Sequence, residues 1–580
     1  MFKRKKKKNI ESVKTPWYKI YGDNIPRHLV YPECSIYDFF DDNTSKYDKL
    51  IAYDYFGTTK TFYDFKKDIE LCACAFKSIG VSKGDIVTIC MPNMPEAITA
   101  WYGLNKIGAI SNMIHPLSAE EEIKYYLNLS QSKVVLSVDL AYSKIKNIID
   151  KTDVEKVILV SAKDSMPKIM QVGYDLTKGK KIQKPTYDNM FMKYKDFIDN
   201  GRDYIGNTKE NVSGEDICSI LYSGGTTGNP RGVMLSNNNF NAVAVQNNVM
   251  CGNLGPTDSI VAIMPIFHGF GLGVAIHTVM SHGAKAILMP QFNVDEFYKI
   301  LKHKKPTTIV GVPTLFEGMI SNKKINRLNL SHLRICISGG DSLSNSLRGK
   351  IDDFLSSHHA NTRVREGYGM TESVCASCLN PIYDIRENSI GIPYPDTYYK
   401  IVTPGTHTEV PYGEEGEICI SGPTVMMGYL DNIRETNDTL QTHEDGRVWL
   451  HTGDGGYMDE DGYVYFKLRL KRLIVSSGYN IYPQYVEDII ESHPSVLKCT
   501  VIGIPHPYKM QVAKAYIVLK NGVKDTDEVR EDIYNYCLKN IAKFSMPYVF
   551  EYRKELPKTL VGKVAYRKLM DESEKDIDNL

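Results

Sequence analysis

Cysteine is scarce in this chain, at 12 of 580 residues, and no long apolar run follows its charged start. So low a cysteine content argues against a disulfide scaffold. Lys3, Arg4, Lys5, Lys6, Lys7 and Lys8 imitate the basic head of a secretory signal, but Asn9 to Lys14 supplies no apolar core behind them. A reducing cytoplasm is the expected home. The CxxC of Cys375 and Cys378 has no second pair at a zinc-binding spacing, so buried thiols are expected there. Charge of one sign is lacking too, since 70 Lys+Arg face 69 Asp+Glu for a net of +1. Six of those positives sit in the first eight residues, which leaves the other 572 with 64 against 69, a net of −5. That sign argues against a nucleic-acid binder, which spreads cations over its folded surface.

Between Ser259 and Ala284 there is no Asp, Glu, Lys or Arg. Pro265, three histidines and four glycines interrupt the stretch, so it reads as strand, loop and helix in a buried wall rather than as a membrane span. A chain of 580 residues is multidomain by default. Short apolar runs at Asp85 to Cys90, Lys133 to Val138, Glu155 to Val160, Ser259 to Met264, Ala286 to Met289, Thr307 to Val312 and Leu333 to Ser338 alternate with amphipathic segments such as Pro95 to Ile107. The alternation predicts an α/β domain of parallel sheets covered by helices. From Lys400 glycine-rich turns separate further strand-like runs, a β-rich subdomain, and an α+β domain follows. The expected organisation is a basic tip at 1–16, a large N-terminal domain at 17–470, a small mobile C-terminal domain at 471–570 and an acidic tail at 571–580.

The strongest local signal is Tyr222-Ser-Gly-Gly-Thr-Thr-Gly-Asn-Pro-Arg-Gly232, set between apolar runs. Glycines turn backbone N–H groups toward one point, hydroxyls add donors and a guanidinium adds charge, which together cradle phosphate. The Walker pattern is absent, because the residues after Gly232 read as a returning strand instead of a helix.

This loop resembles the signature of the adenylate-forming superfamily, which includes acyl-CoA synthetases, luciferases and the adenylation domains of peptide synthetases. Five further segments match in order: Ser338-Gly-Gly340, Gly367-Tyr-Gly-Met-Thr-Glu372, Thr452-Gly-Asp454 with Asp461-Gly-Tyr463, Arg469-Leu-Lys471 with Gly478-Tyr-Asn-Ile-Tyr-Pro483, and Pro557-Lys-Thr-Leu-Val-Gly-Lys563 with Arg567. The resemblance implies ATP, Mg²⁺ and coenzyme A as cofactors. It implies ATP or AMP contacts from Ser223, Gly224, Gly225, Thr226, Thr227, Gly228, Arg231, Gly339, Gly340, Asp341, Gly367, Tyr368, Gly369, Met370, Thr371, Asp454, Arg469 and Lys563. Tyr368 would stack on adenine, Asp454 and Arg469 would meet the ribose, and Glu372 and Thr226 would hold the metal. Lys563 would bridge the carboxylate and the α-phosphate, with Glu372, Thr371 and His268 as the other candidate catalytic residues. Lys471 matches the family's hinge, and Gly478 and Tyr479 its thiol channel. Three departures stand out: Gly224 where Ser or Thr is common, Arg231 for the commoner Lys, and Leu468 and Arg472 beside the hinge.

Pro265-Ile-Phe-His268 and Gly269-Phe-Gly-Leu-Gly273 resemble the family segment that carries a gate and one wall of the acyl site, and its uncharged surroundings suit an alkyl chain. The expected activity is a medium- or long-chain fatty-acid:CoA ligase. Alternatives at this stage are a ligase for an aryl acid, one that loads a carrier protein, or a non-catalytic adenylate-binding protein. For a fatty-acid ligase, Lys3 to Lys8 suggest peripheral contact with an anionic membrane at its inner surface.

Overall fold

The computed structural model describes residues 13–223, 230–469, 474–476, 479–481, 483–506, 509–541, 545–558 and 564–574. Two compact units result, one of residues up to 399 with 420–451 and 460–464, the other of 400–419, 452–459 and 465 onward. The second unit therefore draws on the β-rich stretch after residue 400 as well as on the end of the chain.

The larger unit contains strands β1 (Ile51–Tyr55), β2 (Thr58–Thr61), β3 (Ile86–Cys90), β4 (Ile110–Ile114), β5 (Val134–Val138), β6 (Lys156–Val160), β7 (Phe191–Lys193) and β8 (Ile217–Ser223). It continues with β9 (Arg231–Ser236), β10 (Ser259–Ala262), β11 (Lys285–Leu288), β12 (Thr308–Gly311), β13 (Ile335–Ser338), β14 (Val364–Tyr368), β15 (Cys378–Leu379) and β16 (Ile392–Pro393). One sheet runs β9-β8-β4-β3-β5-β6-β7 with the short strand Gly428–Tyr429 beside β9. From β8 to β7 every pairing is parallel, and β9 returns antiparallel to β8, as expected for the residues after Gly232. The second sheet runs β16-β15-β14-β13-β12-β10-β11-β1-β2, parallel from β14 to β1. Near-continuous apolar runs form these strands because helices cover both faces of a parallel sheet.

The expected strands recur within two residues at either end, and the predicted helix forms over Pro95–Lys106. Proline at its first turn needs no N–H partner there. Eleven of its twelve residues are buried, which suits a helix packed on all sides. Its Trp101 Nε1 donates to Ser219 Oγ of β8 at 2.8 Å, so the helix is keyed to the first sheet. The charge-free stretch folds as β10, a loop and a wide-turned helix over Phe270–Thr278, the wall anticipated from composition. No helix among the described residues is long and apolar enough to cross a membrane.

The two sheets of the larger unit meet at the carboxyl ends of their strands. Beyond β3, the Asn93 amide donates to the carbonyls of Ala262 and Met264 at 2.8 and 2.9 Å and accepts from the Ile266 N–H at 2.9 Å. One buried side chain thus satisfies three backbone groups of the loop entering the Pro265 segment. The smaller unit holds a sheet ordered Tyr479–Ile481, Ile474–Ser476, Met510–Leu519 and Val496–His506, with Val549–Tyr552 beside Met510–Leu519. Helices Pro483–Glu491 and Asp527–Asn540 pack with it around Val486, Ile490, Val501, Ile517 and Ile533.

Glu96, in the first turn of the Pro95 helix, is 5% exposed and has no cation beside it among the described residues. Ser165 Oγ donates to its Oε1 at 2.5 Å, yet burial still pushes the carboxyl up to about 7. An acid raised in the folded state binds more protons there than when unfolded, so stability falls as pH rises from the unfolded value toward 7. The accumulated cost is on the order of 3 kcal/mol above that pH. Glu96→Gln is therefore expected to raise stability at pH 8 and to change it little at pH 5. Urea unfolding at both pH values checks this, and equal shifts would reject buried ionisation as the cause.

Candidate active site

The register of the β8–β9 hairpin pairs Ser223 with Arg231. Gly224, Gly225, Thr226, Thr227 and Gly228, which intervene, lie outside the described residues. Both flanking side chains reach one acceptor, the carboxylate of Glu372. Ser223 Oγ donates to Oε1 at 2.8 Å, the Tyr429 hydroxyl donates to the same oxygen at 2.9 Å, and Arg231 Nη2 lies 3.3 Å from it. Glu372 is 2% exposed, and a carboxylate so deeply buried is stable only with donors around it. Among the described residues all of these bonds fall on Oε1, which leaves Oε2 as an available hard oxygen ligand. Arg231 also holds Glu435 Oε1 at 2.8 Å and lies over the Tyr429 ring, 4.6 Å from its centroid. Burial and the neighbouring Glu372 charge raise the Tyr429 hydroxyl above the usual phenol range, so it stays a donor.

A strained turn carries Glu372. Gly367 and Tyr368 close β14, with Tyr368 half-buried opposite Cys378. At Gly369 an added Cβ would stand 2.3 Å from the carbonyl carbon of Cys375 and 2.5 Å from the Ala376 nitrogen, so only glycine fits. After Met370 the chain makes a tight turn over Thr371–Ser373, with Thr371 buried. Val374 and Cys375 follow at φ 52 and 60, left-handed values that cost a β-branched residue on the order of 1–3 kcal/mol. Packing holds them there. Val374 is fully buried beside Gly273, where an added Cβ would come within 2.8 Å of its Cγ1, and Cys375 Sγ lies 3.8 Å from His268 Nδ1. His268 Nδ1 also accepts from the Phe270 N–H at 3.3 Å, so a neutral ring carries its proton on Nε2. Cys378 is buried as anticipated, whereas Cys375 is half-buried, because the left-handed turn swings its thiol toward the His268 loop.

Gly339, Gly340 and Asp341 follow β13, the parallel neighbour of β14, so two glycine-bearing strand ends lie side by side. Gly340 has φ 78, which only glycine adopts freely, and Asp341 is exposed. The larger unit therefore brings Ser223, Arg231, Thr371, Glu372 and His268 onto one connected set of contacts. Asp454 belongs to the smaller unit and is 2% exposed. Its N–H donates to Thr452 Oγ1 at 3.0 Å, Thr452 Oγ1 donates to the Ile418 carbonyl at 2.7 Å, and the Gly453 N–H donates to Glu417 at 3.0 Å. Lys471, Gly478 and Lys563 lie outside the described residues, as do the side chains of Arg469 and Tyr479.

Sequence reasoning missed Tyr429, Glu435 and Asn93. Each acts through a partner more than 130 residues away or from another sheet, and none lies in a stretch of phosphate-binding composition. Only the strand pairing of Tyr429 with Val233 of β9 sets its hydroxyl beside Glu372.

The model of the AMP-binding enzyme family matches residues 40–430, and that of the AMP-binding enzyme C-terminal domain matches residues 485–563. The chain is 32% identical to a long-chain-fatty-acid--CoA ligase of Bacillus subtilis over 96% of its own length and 98% of the relative's. Against the ligase of the same name from Escherichia coli O6:H1 the identity is 29%, covering 98% and 100% of the two chains. Among solved structures it resembles the anthranilate CoA ligase AuaEII in complex with anthranoyl-AMP, at TM-score 0.81 and 25% identity over 95% of this chain and 99% of that one. It also resembles a long-chain-fatty-acid-CoA ligase from Archaeoglobus fulgidus, at TM-score 0.67 and 26% identity over 93% and 100%.

Tyr429→Phe deletes one of three donors to a buried carboxylate while keeping the ring under Arg231. A loss of about 1.5–3 kcal/mol is expected, the range for hydrogen bonds to charged groups. The shift of the urea transition measures it, and a loss below about 0.5 kcal/mol would mean that Ser223 and Arg231 suffice.

Proposed function

Because the chain belongs to the AMP-binding enzyme family, we propose that it is an AMP-forming ligase that joins medium- or long-chain fatty acids to coenzyme A. The observation that carries this reading is the two-sided Thr371–Cys375 turn. Its Glu372 meets Ser223 and Arg231 at the ends of the glycine-rich loop, and its Val374 and Cys375 meet the uncharged Gly269–Gly273 segment. Charge handling and apolar binding are thereby joined by four residues of chain. Ligases of both bacterial relatives carry the long-chain fatty-acid name over nearly their full length, which supports the same substrate class.

In the first half-reaction a carboxylate oxygen of the acid bonds to the α-phosphorus of ATP, and the bond to the pyrophosphate leaving group breaks. Two anions must meet, so repulsion and alignment dominate the barrier. Lys563 supplies an ammonium between them, while Arg231 and the hydroxyls of Ser223, Thr226 and Thr371 orient phosphate oxygens. Magnesium bound with ATP neutralises further phosphate charge, and Glu372 Oε2 with the Thr226 hydroxyl are the groups that would hold it. Tyr368 stacks on the adenine, Gly339, Gly340, Asp341, Gly367, Gly369 and Met370 supply further nucleotide contacts, and Asp454 and Arg469 hold the ribose.

In the second half-reaction the thiolate of coenzyme A bonds to the acyl carbonyl carbon and AMP leaves with the bonding pair. Lys471 serves as the hinge that exchanges the Lys563 face of the C-terminal domain for the face bearing Gly478 and Tyr479. His268, at the edge of the uncharged wall, gates the path to the carbonyl. The alkyl chain lies along the Pro265–Gly273 wall, where an uncharged, glycine-bearing surface admits it without desolvating a charge.

Lys563→Ala is expected to lower acid-dependent pyrophosphate release roughly a hundredfold or more, while thioester formation from supplied acyl-adenylate persists. Equal loss of both half-reactions would remove the role given to Lys563. Glu372→Gln should weaken the response to Mg²⁺, and an unchanged magnesium titration rejects it as the ligand. Substrate class is decided by CoA-dependent AMP release across acids of increasing chain length together with aromatic acids. Turnover of aromatic acids alone would shift the assignment to an aryl-acid ligase, and no turnover with CoA would favour a carrier protein as acceptor.

A further inference from the structure

The surface segment after β6 has no place in the reaction just described. Helix Lys168–Leu176 buries none of its residues. Ile169, Val172 and Leu176, at i, i+3 and i+7, share one face and are 89%, 60% and 62% exposed. The opposite side is the one anchored to the protein. Gln171 donates to the Met166 carbonyl at 2.8 Å, Asp175 pairs with Lys163 at 2.6 Å, and the Tyr174 hydroxyl is buried. The apolar stripe therefore points outward by construction.

Charge surrounds that stripe. From residue 163 to residue 184 the chain has six lysines and two aspartates, a net of +4 in a body that is otherwise acidic. Lys168, Lys180 and Lys184 are exposed. An exposed apolar stripe beside cations, on a nine-residue helix whose opposite side is the anchored one, has the composition of an interfacial helix.

Topology then connects the helix to the site. Strands β8, β4, β3, β5 and β6 are parallel, so the loop after Ser223, the Asn93 clamp and this helix all leave the same edge of one sheet. Leu117, just beyond β4, and Leu140, just beyond β5, are exposed on that edge as well. Four strand spacings separate β8 from β6, about 20 Å.

We propose that helix Lys168–Leu176, with Leu117 and Leu140, is a docking surface for an anionic phospholipid bilayer, inserting Ile169, Val172 and Leu176 among the lipids while Lys168, Lys180 and Lys184 meet the headgroup phosphates. The surface presents the sheet edge that bears the Asn93 clamp, which holds the loop entering the candidate acyl wall, to the phase in which long-chain acids dissolve. Only that consequence rests on the fatty-acid reading; the docking itself does not.

The test compares the full-length chain with Ile169→Ser/Val172→Ser/Leu176→Ser, with Lys180→Gln/Lys184→Gln and with a variant neutralised at Lys3 to Lys8, by co-sedimentation with phosphatidylglycerol and phosphatidylcholine vesicles at low and high salt. The triple variant is expected to lose roughly tenfold or more of its partitioning, and to lose it at high salt too, because apolar insertion is not screened. The lysine variants should lose partitioning at low salt only. Unchanged partitioning of the triple variant would overturn the proposal. So would equal binding to both lipids, which removes the anionic surface, or a dimer of the full-length chain that the triple substitution disperses, which makes the stripe a contact between copies. Adenylation of water-soluble octanoate is expected to be equal in all variants, and its absence in every chain would count against the ligase assignment while leaving the vesicle result standing.

Discussion

A single buried carboxylate organises the larger unit's chemistry. Glu372 lies at 2% exposure, where an unpaired charge would cost several kcal/mol, and its Oε1 draws donors from three separate segments. Ser223 ends β8, Arg231 opens β9, and Tyr429 comes from a short strand two hundred residues further on that pairs with β9. None of the three can satisfy the carboxylate unless the β8–β9 register is correct. A one-residue slip of either strand would put Ser223 and Arg231 on opposite faces of the sheet. The charge thus costs stability by itself and gains specificity by penalising every arrangement in which the hairpin, the β14 turn and the Gly428–Tyr429 strand fail to meet.

The turn that delivers Glu372 shows how such a cost is carried. Two successive left-handed residues, one of them valine, would not persist in an isolated peptide. They persist here because Val374 fills space that Gly273 leaves open, and because Gly369 lets the chain pass against Cys375 and Ala376. Large and small residues are matched across the contact, so relaxing the backbone would open a cavity on one side or cause a clash on the other. Strain in the turn and packing in the glycine-rich wall are two aspects of one constraint. Its consequence is that the polar face and the apolar face of the turn cannot move independently.

This coupling also separates what was legible in the sequence from what was not. Strands such as Ile86–Cys90 and Val134–Val138 were legible because a parallel strand covered on both faces must be apolar along its length. The glycine-rich loop and the Gly367–Glu372 segment were legible because their composition has a local physical purpose. Tyr429 and Glu435 were not, since a tyrosine and a glutamate gain meaning only from the register that sets them beside Arg231. Asn93 escaped for the same reason: an asparagine after a strand is an ordinary turn residue until the second sheet supplies two carbonyls and an N–H for it. Cys375 was read as a buried thiol because sequence cannot reveal a left-handed backbone at a residue other than glycine or asparagine.

One edge of the parallel sheet concentrates these features for a reason that precedes any particular function. At the carboxyl ends of parallel strands the chain leaves the ladder, so its backbone groups are free to face a ligand and its loops can vary without disturbing the core. The glycine-rich loop and the Asn93 clamp use that freedom for polar work. Leu117, Leu140 and the stripe on helix Lys168–Leu176 use it to leave apolar surface uncovered, which no demand of packing explains, since each could be polar without loss to the core. A net charge of +1 conceals this arrangement. Resolved along the chain it becomes an acidic body with a basic first eight residues and a net of +4 from 163 to 184, and the latter segment follows β6 at the carboxyl edge of the sheet that also carries β8 and the Asn93 clamp.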